Sequence, residues 1–416
     1  MASIKSVHAR QILDSKGTPT VEAIVELSDG ILARSSAPSG VSQSSHEAVE
    51  LRDQDPAKFN GMGVLHAIQN INEKIAPKII GMDASMQQQI DRAMIDLDGS
   101  ANKENLGGNA IISVSQAVLK AAALSSKTPL YDYISGFTSN HDKKIPVPLF
   151  ALLEGGKHSK GLLDFQEFLL IPASTKTFPE SLEIACAVFA SLKKSLSDEN
   201  KSLLSSYEGG FSPELPNNQA ALDLLKRSVE SAGIAFSLDV FLGLDCAADN
   251  LYDGKVYKLS DRTTPYSTDD LVSYYQMLTS DFALIHLEDP LSRTNPEAWK
   301  KMQGLSSKAI IVGDDLVSAN PYSLQAAVSE KIIGGVVLKP NQVGTFSETV
   351  ALAEIAKFTN LKICVANRSG ETEDTFIADL AVGIGADFVK FGAPTRERAI
   401  KYNRMLEIDS ELKAKQ

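Results

Sequence analysis

Six short apolar runs in the second half of the chain each close on a polar or charged residue. They are LGLD at 242–245, ALIHLE at 283–288, IIVGD at 310–314, GVVLK at 335–339, ICVANR at 363–368 and FVK at 388–390. Short runs rich in β-branched residues are what strands buried on both faces require. The closing residues Asp314, Lys339, Arg368 and Lys390 recur every 22 to 29 residues, and Asp245 and Glu288 precede them at steps of 43 and 26. One strand, one helix and two short loops take about that much chain, so only the longest step needs an insertion. A strand–helix repeat with a reactive side chain at each strand's carboxyl end is the pattern of a (β/α) barrel with its active site at that mouth.

The 416 residues leave room for more than the barrel. Residues 20–27 alternate as a half-exposed strand, with 31–35 as hairpin partner across Ser28, Asp29 and Gly30 and 4–10 as a third strand. The small, polar segment 37–45 reads as a loop. Ser45 then has the pattern of a helix cap, with Glu47 and Glu50 in the first turns. Helical patterns follow at 64–79, 85–98 and 109–125, the last apolar on most sides and therefore buried. The chain thus divides into an α+β N-terminal lid or capping domain at 1–135, a linker at 136–146 and a barrel domain at 147–416. In the second part come two hairpin-like strands, helices near 179–197 and 218–232, and an amphipathic C-terminal segment, 400–415, that closes the barrel.

A net charge of −11 and a pI near 5.2 argue against nucleic acid or an anionic membrane as partner. A small anionic substrate remains compatible, because a local cluster of cations can reverse the field in one cleft. Cys186, Cys246 and Cys364 are far apart, with no CxxC pair, and read as buried reduced thiols. The start, MASIKSVHARQILDS, has no apolar core of a secretion signal, and no stretch approaches about 18 apolar residues. The expectation is a cytoplasmic protein without a membrane span.

Asp245, Glu288 and Asp314 close three successive runs. Three carboxylates at one mouth repel one another unless a cation joins them. Oxygen-only ligation favours a hard ion, Mg²⁺ first and Mn²⁺ second. Lys339 and Lys390 close later runs, and a lysine desolvated beside a metal has a lowered pKa that suits a base. Glu208 lies in a YEGG turn whose glycines permit close approach to a ligand, and Glu167 ends or interrupts a strand. Arg368 and Ser369 bring the donors a phosphate needs. His158 lies in a Gly-rich loop, while Tyr274, Tyr275 and Trp299 read as packing. There is no GxSxG elbow, no GxxxxGK[ST] loop, no HExxH and no GxGxxG after a strand.

The chain resembles enolase along nearly its whole length, from ARQILDSKGTPTVEA through APSGVSQSSHEAVELRD, EGGFSP, LEDP, GDDL and LKPNQVGT to NRSGETED and KFGAPTRERAIKYN. That resemblance implies an enolase-type (β/α)8 barrel and the Mg²⁺-dependent reversible dehydration of 2-phosphoglycerate to phosphoenolpyruvate. It implies that Asp245, Glu288 and Asp314 hold the tighter Mg²⁺ and that Ser39 joins a second. It makes Lys339 the base at C2 and Glu208, helped by Glu167, the acid at the C3 hydroxyl. Lys390 would meet the substrate carboxylate, Arg368 and Ser369 the phosphate, and Gln166, Glu167 and His158 would line the pocket. It also implies a homodimer, with assembly to an octamer as an extension, and allows an additional surface or secreted pool. Asn367, Tyr207, Glu154 and Gln43 depart from the family pattern, which has His, an acid, Asn and Thr there. These departures motivate one rival, an enolase-like dehydratase acting on a different acid. A non-catalytic binding paralogue is a second rival, and its mark would be loss of a ligand or of Lys339.

Overall fold

A computed structural model describes residues 2–41, 47–140, 142–159, 163–318 and 320–415, with the side chain of His158 excluded. The first strands, β1 (Ile4–Leu13), β2 (Pro19–Leu27) and β3 (Leu32–Ser36), form an antiparallel meander in the order β1-β2-β3. The turn between β2 and β3 works because Gly30 takes φ +87°, a conformation costly for any residue with a Cβ. A helical stretch runs over 65–79 with a π turn at Ile71–Ile75, followed by helices Gln87–Asp98 and Gly108–Ser125. The last is buried on nearly every side, as its all-round apolar sequence requires. Val21, Val25, Ile71, Ile90, Val114 and Val118 share one core between sheet and helices.

The helix expected after Ser45 does not form. Residues 48–55 have no regular structure, and Ser45 itself and Gln43 lie outside the described residues. The two acids have tertiary partners instead: Glu47 pairs with Arg368 (3.1 Å), and Glu50 accepts from the Gly40 N–H (2.8 Å) and from Arg52 (2.9 Å). Those bonds replace what a helical first turn would have supplied.

Eight further strands close a barrel: β4 (Val147–Glu154), β5 (Glu167–Pro172), β6 (Val240–Asp245), β7 (Leu284–Glu288), β8 (Ile310–Gly313), β9 (Gly335–Leu338), β10 (Lys362–Ala366) and β11 (Phe388–Lys390). They follow chain order around the barrel, and β11 pairs with β4 to close it. Strand β5 alone runs antiparallel to both neighbours, and two helices, Phe178–Asp198 and Asn218–Ser231, lead from it to β6. The remaining pairs are parallel. Leu149, Ala151, Leu169, Ile171, Val312, Val337, Cys364 and Ala366 fill the interior, and a larger apolar layer seals strands to helices.

The C-terminal helix, Arg398–Ala414, docks Tyr402, Met405 and Ile408 on that layer. Trp299 and Tyr275 are buried as expected, their polar atoms donating to the Ser292 (3.1 Å) and Pro290 (2.9 Å) carbonyls. Cys246 and Cys364 are buried, but Cys186 is exposed. It lies on the solvent side of its amphipathic helix, which corrects the expectation of three buried thiols. Among the described residues no helix is long and apolar enough to cross a membrane.

Candidate active site

The barrel mouth is assembled by strand register. Asp245 and Glu288 end β6 and β7 and lie level with each other, and Asp314 and Lys339 follow β8 and β9 directly. Because β5 runs against its neighbours, its first residue reaches the rim where theirs end, so Glu167 pairs with Glu154 on one side and with Asp245 on the other. Glu167 therefore begins its strand rather than ending or interrupting it.

Lys390 stands among these carboxylates. Its Nζ is 2.7 Å from Glu167, 2.7 Å from Glu288 and 3.3 Å from Asp245, all buried. Lys339 is paired with Asp314. Burial by itself would lower the Lys339 pKa, but the Asp314 carboxylate outweighs it and holds the ammonium above its usual range. This is the reverse of the lowered value expected from the sequence, and the cause is a contact that strand spacing does not reveal. Burial likewise opposes the charge on Lys390, yet Glu167, Glu288 and Asp245 push it well upward.

The carboxylates bear the complementary stress. Burial, then Asp245 and Asp314 working against Lys390, push Glu288 well above the ordinary range. Burial and Asp314 push Asp315 up to about 6. Asp314 Oδ1 is buried with no hydrogen-bond partner among the described residues. Four carboxylates, Glu167, Asp245, Glu288 and Asp314, face two ammonium groups here, a deficit of positive charge that a hard divalent cation would balance. The donor set therefore fits such an ion. Asp289, Asp314 and Asp315 also bring three carboxylate oxygens within 4.8 Å of one another. Asp289, however, spends its oxygens on the backbone N–H of Asp314 (3.0 Å) and Asp315 (2.6 Å), which makes it a brace for the turn after β8. That leaves Asp245, Glu288 and Asp314 as the carboxylates that could hold such an ion.

The Arg368–Ser369 turn lines the same cavity. Arg368 and Ser369 follow β10, and the Arg368 guanidinium is 3.1 Å from Glu47 of the small domain. The small domain also braces this turn directly. Ser39 and Gly370 exchange backbone hydrogen bonds (2.8 and 2.9 Å), and Ser15 N donates to the Glu371 carbonyl (2.7 Å). A Cβ on Gly370 would come within 2.3 Å of Asp14 and 2.4 Å of the Ser39 hydroxyl, so only glycine permits the approach. The Ser39 hydroxyl donates to Asp14 and is not among the groups gathered by Lys390.

Glu208 sits in a turn enabled by Gly209 at φ +91°. The buried Glu154 carboxylate accepts from the N–H groups of Glu208 (3.3 Å) and Gly210 (2.8 Å), and the Ala393 N–H holds the Glu208 carbonyl (2.9 Å). In the amide orientation that satisfies all its neighbours, Asn367 donates to Glu208 Oε2 (3.1 Å) and the Lys390 carbonyl (2.9 Å) and accepts from Arg398. Gln166 donates to Asp245 (3.1 Å).

One cavity of about 60 Å³ is lined by Gln166, Glu167, Glu208, Asp245, Asp314, Lys339, Arg368, Ser369 and Lys390. Glu288 does not line the cavity but stands beside it, 2.7 Å from Lys390, so the structure brings together the expected site residues except Ser39, set aside on Asp14, and His158, whose side chain is not described. It adds Glu47, Asp289 and Arg398, which sequence reasoning missed. Arg398 could have been found, because it and Lys401 fall on the buried face of the C-terminal helix beside Tyr402 and Met405. Cations at core positions need a polar site to serve.

A family model described as "Enolase, N-terminal domain" matches residues 4–134, and one described as "Enolase, C-terminal TIM barrel domain" matches residues 142–416. The chain is similar to the protein named "Enolase" from Anaplasma phagocytophilum (strain HZ), with 43% identity over 414 residues, 99% of this chain and 95% of that protein.

Proposed function

Because the chain belongs to the enolase family of lyases, the phosphopyruvate hydratases, we propose that it interconverts 2-phosphoglycerate with phosphoenolpyruvate and water, in glycolysis and its reversal. The observation that carries this reading is one cavity lined by Lys339, Glu208, Lys390 and the Arg368–Ser369 turn together with Asp245 and Asp314, with Glu288 held beside it on Lys390 (2.7 Å).

In this reading Arg368 and Ser369 bind the substrate phosphate, the guanidinium exchanging Glu47 for a doubly charged partner. Lys390 meets the substrate carboxylate. Lys339 removes the C2 proton, a difficult step because the adjacent carboxylate is already negative. The charge that develops on that carboxylate falls within reach of Lys390, a donor already fixed by three buried partners. Glu208, held by Asn367 and backed by Glu167, delivers a proton to the departing C3 hydroxyl. Gln166 lines the pocket, and the reading gives His158 a place beside it on the family resemblance. A Mg²⁺ ion held by Asp245, Glu288 and Asp314 would stabilise that developing charge and, by engaging Asp314, weaken its hold on the Lys339 proton. We assign a second Mg²⁺ to Ser39, which requires the hydroxyl to leave Asp14.

The same reading makes the protein a cytoplasmic homodimer, checked by light scattering. The chemistry is checked by following the ultraviolet absorbance of phosphoenolpyruvate formed from 2-phosphoglycerate. Absence of product across a full titration of Mg²⁺ and pH overturns it.

A further inference from the structure

Arg398 is fully buried, and its guanidinium reaches two turns that the barrel fold brings together. One nitrogen donates to the Arg368 carbonyl (2.7 Å) and also faces the Asn367 amide oxygen. The other donates to the Ser369 carbonyl (2.9 Å) and to the Tyr207 carbonyl (2.7 Å), while Nε faces Glu397 (3.0 Å). Tyr207 immediately precedes Glu208, and the Asn367 amide connects Arg398 to the Glu208 carboxylate. The carbonyl partners lie 29 to 191 residues away along the chain, so helix capping cannot be the purpose of those contacts. Charge-assisted bonds in a planar fork are strong and directional, and an ammonium could not reproduce all of them.

We propose that Arg398 is a positioning residue that locks the Glu208 turn to the Arg368–Ser369 turn, setting the proton-donating group in register with the anion-holding group. This rests on the function proposed above. The two groups act on neighbouring carbons of one small substrate, the phosphate at C2 and the hydroxyl at C3, and a displacement of about 1 Å between them costs on the order of 10²-fold in rate. Arg398 touches no substrate and acts only through these turns. Asn367 belongs to the same lock, because it transmits the position of the guanidinium to the Glu208 carboxylate.

The test is a double-mutant cycle on the Mg²⁺-loaded protein. Turnover of 2-phosphoglycerate and the affinity for inorganic phosphate are measured for wild type, Arg398→Lys, Glu208→Gln and the double variant. Wild-type turnover comes first, since its absence overturns the functional reading and not the lock. Given turnover, Arg398→Lys should lower kcat by ~10²-fold and weaken phosphate binding. In the Glu208→Gln background its effect on kcat should shrink to about twofold or less, while the loss of phosphate affinity persists. Asn367→Ala, a gentler change should Arg398→Lys unfold, should lower kcat by roughly tenfold and leave phosphate affinity intact, and that effect too should vanish with Glu208→Gln. A penalty that stays full-sized in the Glu208→Gln background, or variants indistinguishable from wild type, overturns the lock.

Discussion

The inward-facing positions of the barrel change character within a single step. On β8 the sequence goes from Val312 to Asp314, on β9 from Val337 to Lys339, past β10 from Ala366 to Arg368, and on the reversed β5 from Leu169 back to Glu167. The lower layers are apolar and packed, while the top layer holds buried ions. The two layers share strands, register and direction of side chains, so their difference is chemical and not architectural. The lower layer keeps water out from beneath, and the absence of water strengthens every interaction above it. The same dryness makes the top layer electrostatically costly, as the raised Glu288 and Asp315 values record.

Substitutions in the two layers should therefore fail in different ways. Lys339→Ala should lower turnover by at least ~10⁴-fold, as loss of a general base does, with little change in melting temperature. Comparable losses of stability and activity would mean that Lys339 is structural. Lys390→Met should damage both properties. It leaves Glu167, Asp245 and Glu288 without their shared counter-ion, which costs roughly 3–5 kcal/mol in urea unfolding without metal. Glu208→Gln should cost ~10²–10³-fold in kcat with KM little changed. Below the mouth, Leu169→Ala should cost about 2–5 kcal/mol of stability while kcat stays within about threefold, and a large kcat effect there would blur the division between layers.

The smallest effect concerns His286, which faces Glu288 at 3.2 Å. Burial, and then Lys390, hold its imidazole down to about 3 from the usual 6.5. Between those values the unfolded chain binds a proton there that the folded chain refuses. Stability is thus lost as pH falls from about 6.5 toward about 3, with no contribution above that window. His286→Gln should flatten this slope by a few degrees of melting temperature between about pH 7 and pH 5. An unchanged slope contradicts the buried neutral imidazole.

Much of this was legible before the structure. The closing residues of the apolar runs do converge, because a parallel strand carries its direction in the order of its residues. The direction of β5 was not legible, since alternation along a strand reads the same both ways, and Glu167 therefore changed from the end of its strand to the start. The cap pattern at Ser45 misled, because Glu47 is held by the distant Arg368 and Glu50 by the Gly40 N–H and Arg52 rather than by a helical first turn. The charge state of Lys339 turned on one contact with Asp314. Glu154 and Asn367, visible in sequence only as departures, prove to hold the backbone and the carboxylate of Glu208.

The central claim is that the buried charges at the mouth carry out a metal-dependent dehydration with Lys339 as base. The most direct measurement is phosphoenolpyruvate formation from 2-phosphoglycerate by wild type and Lys339→Ala, each with chelator and then with Mg²⁺ restored. The account predicts turnover by wild type that stops with chelator, returns with Mg²⁺ and stays absent in Lys339→Ala. Turnover that ignores the chelator, or a Lys339→Ala variant as active as wild type, would contradict it.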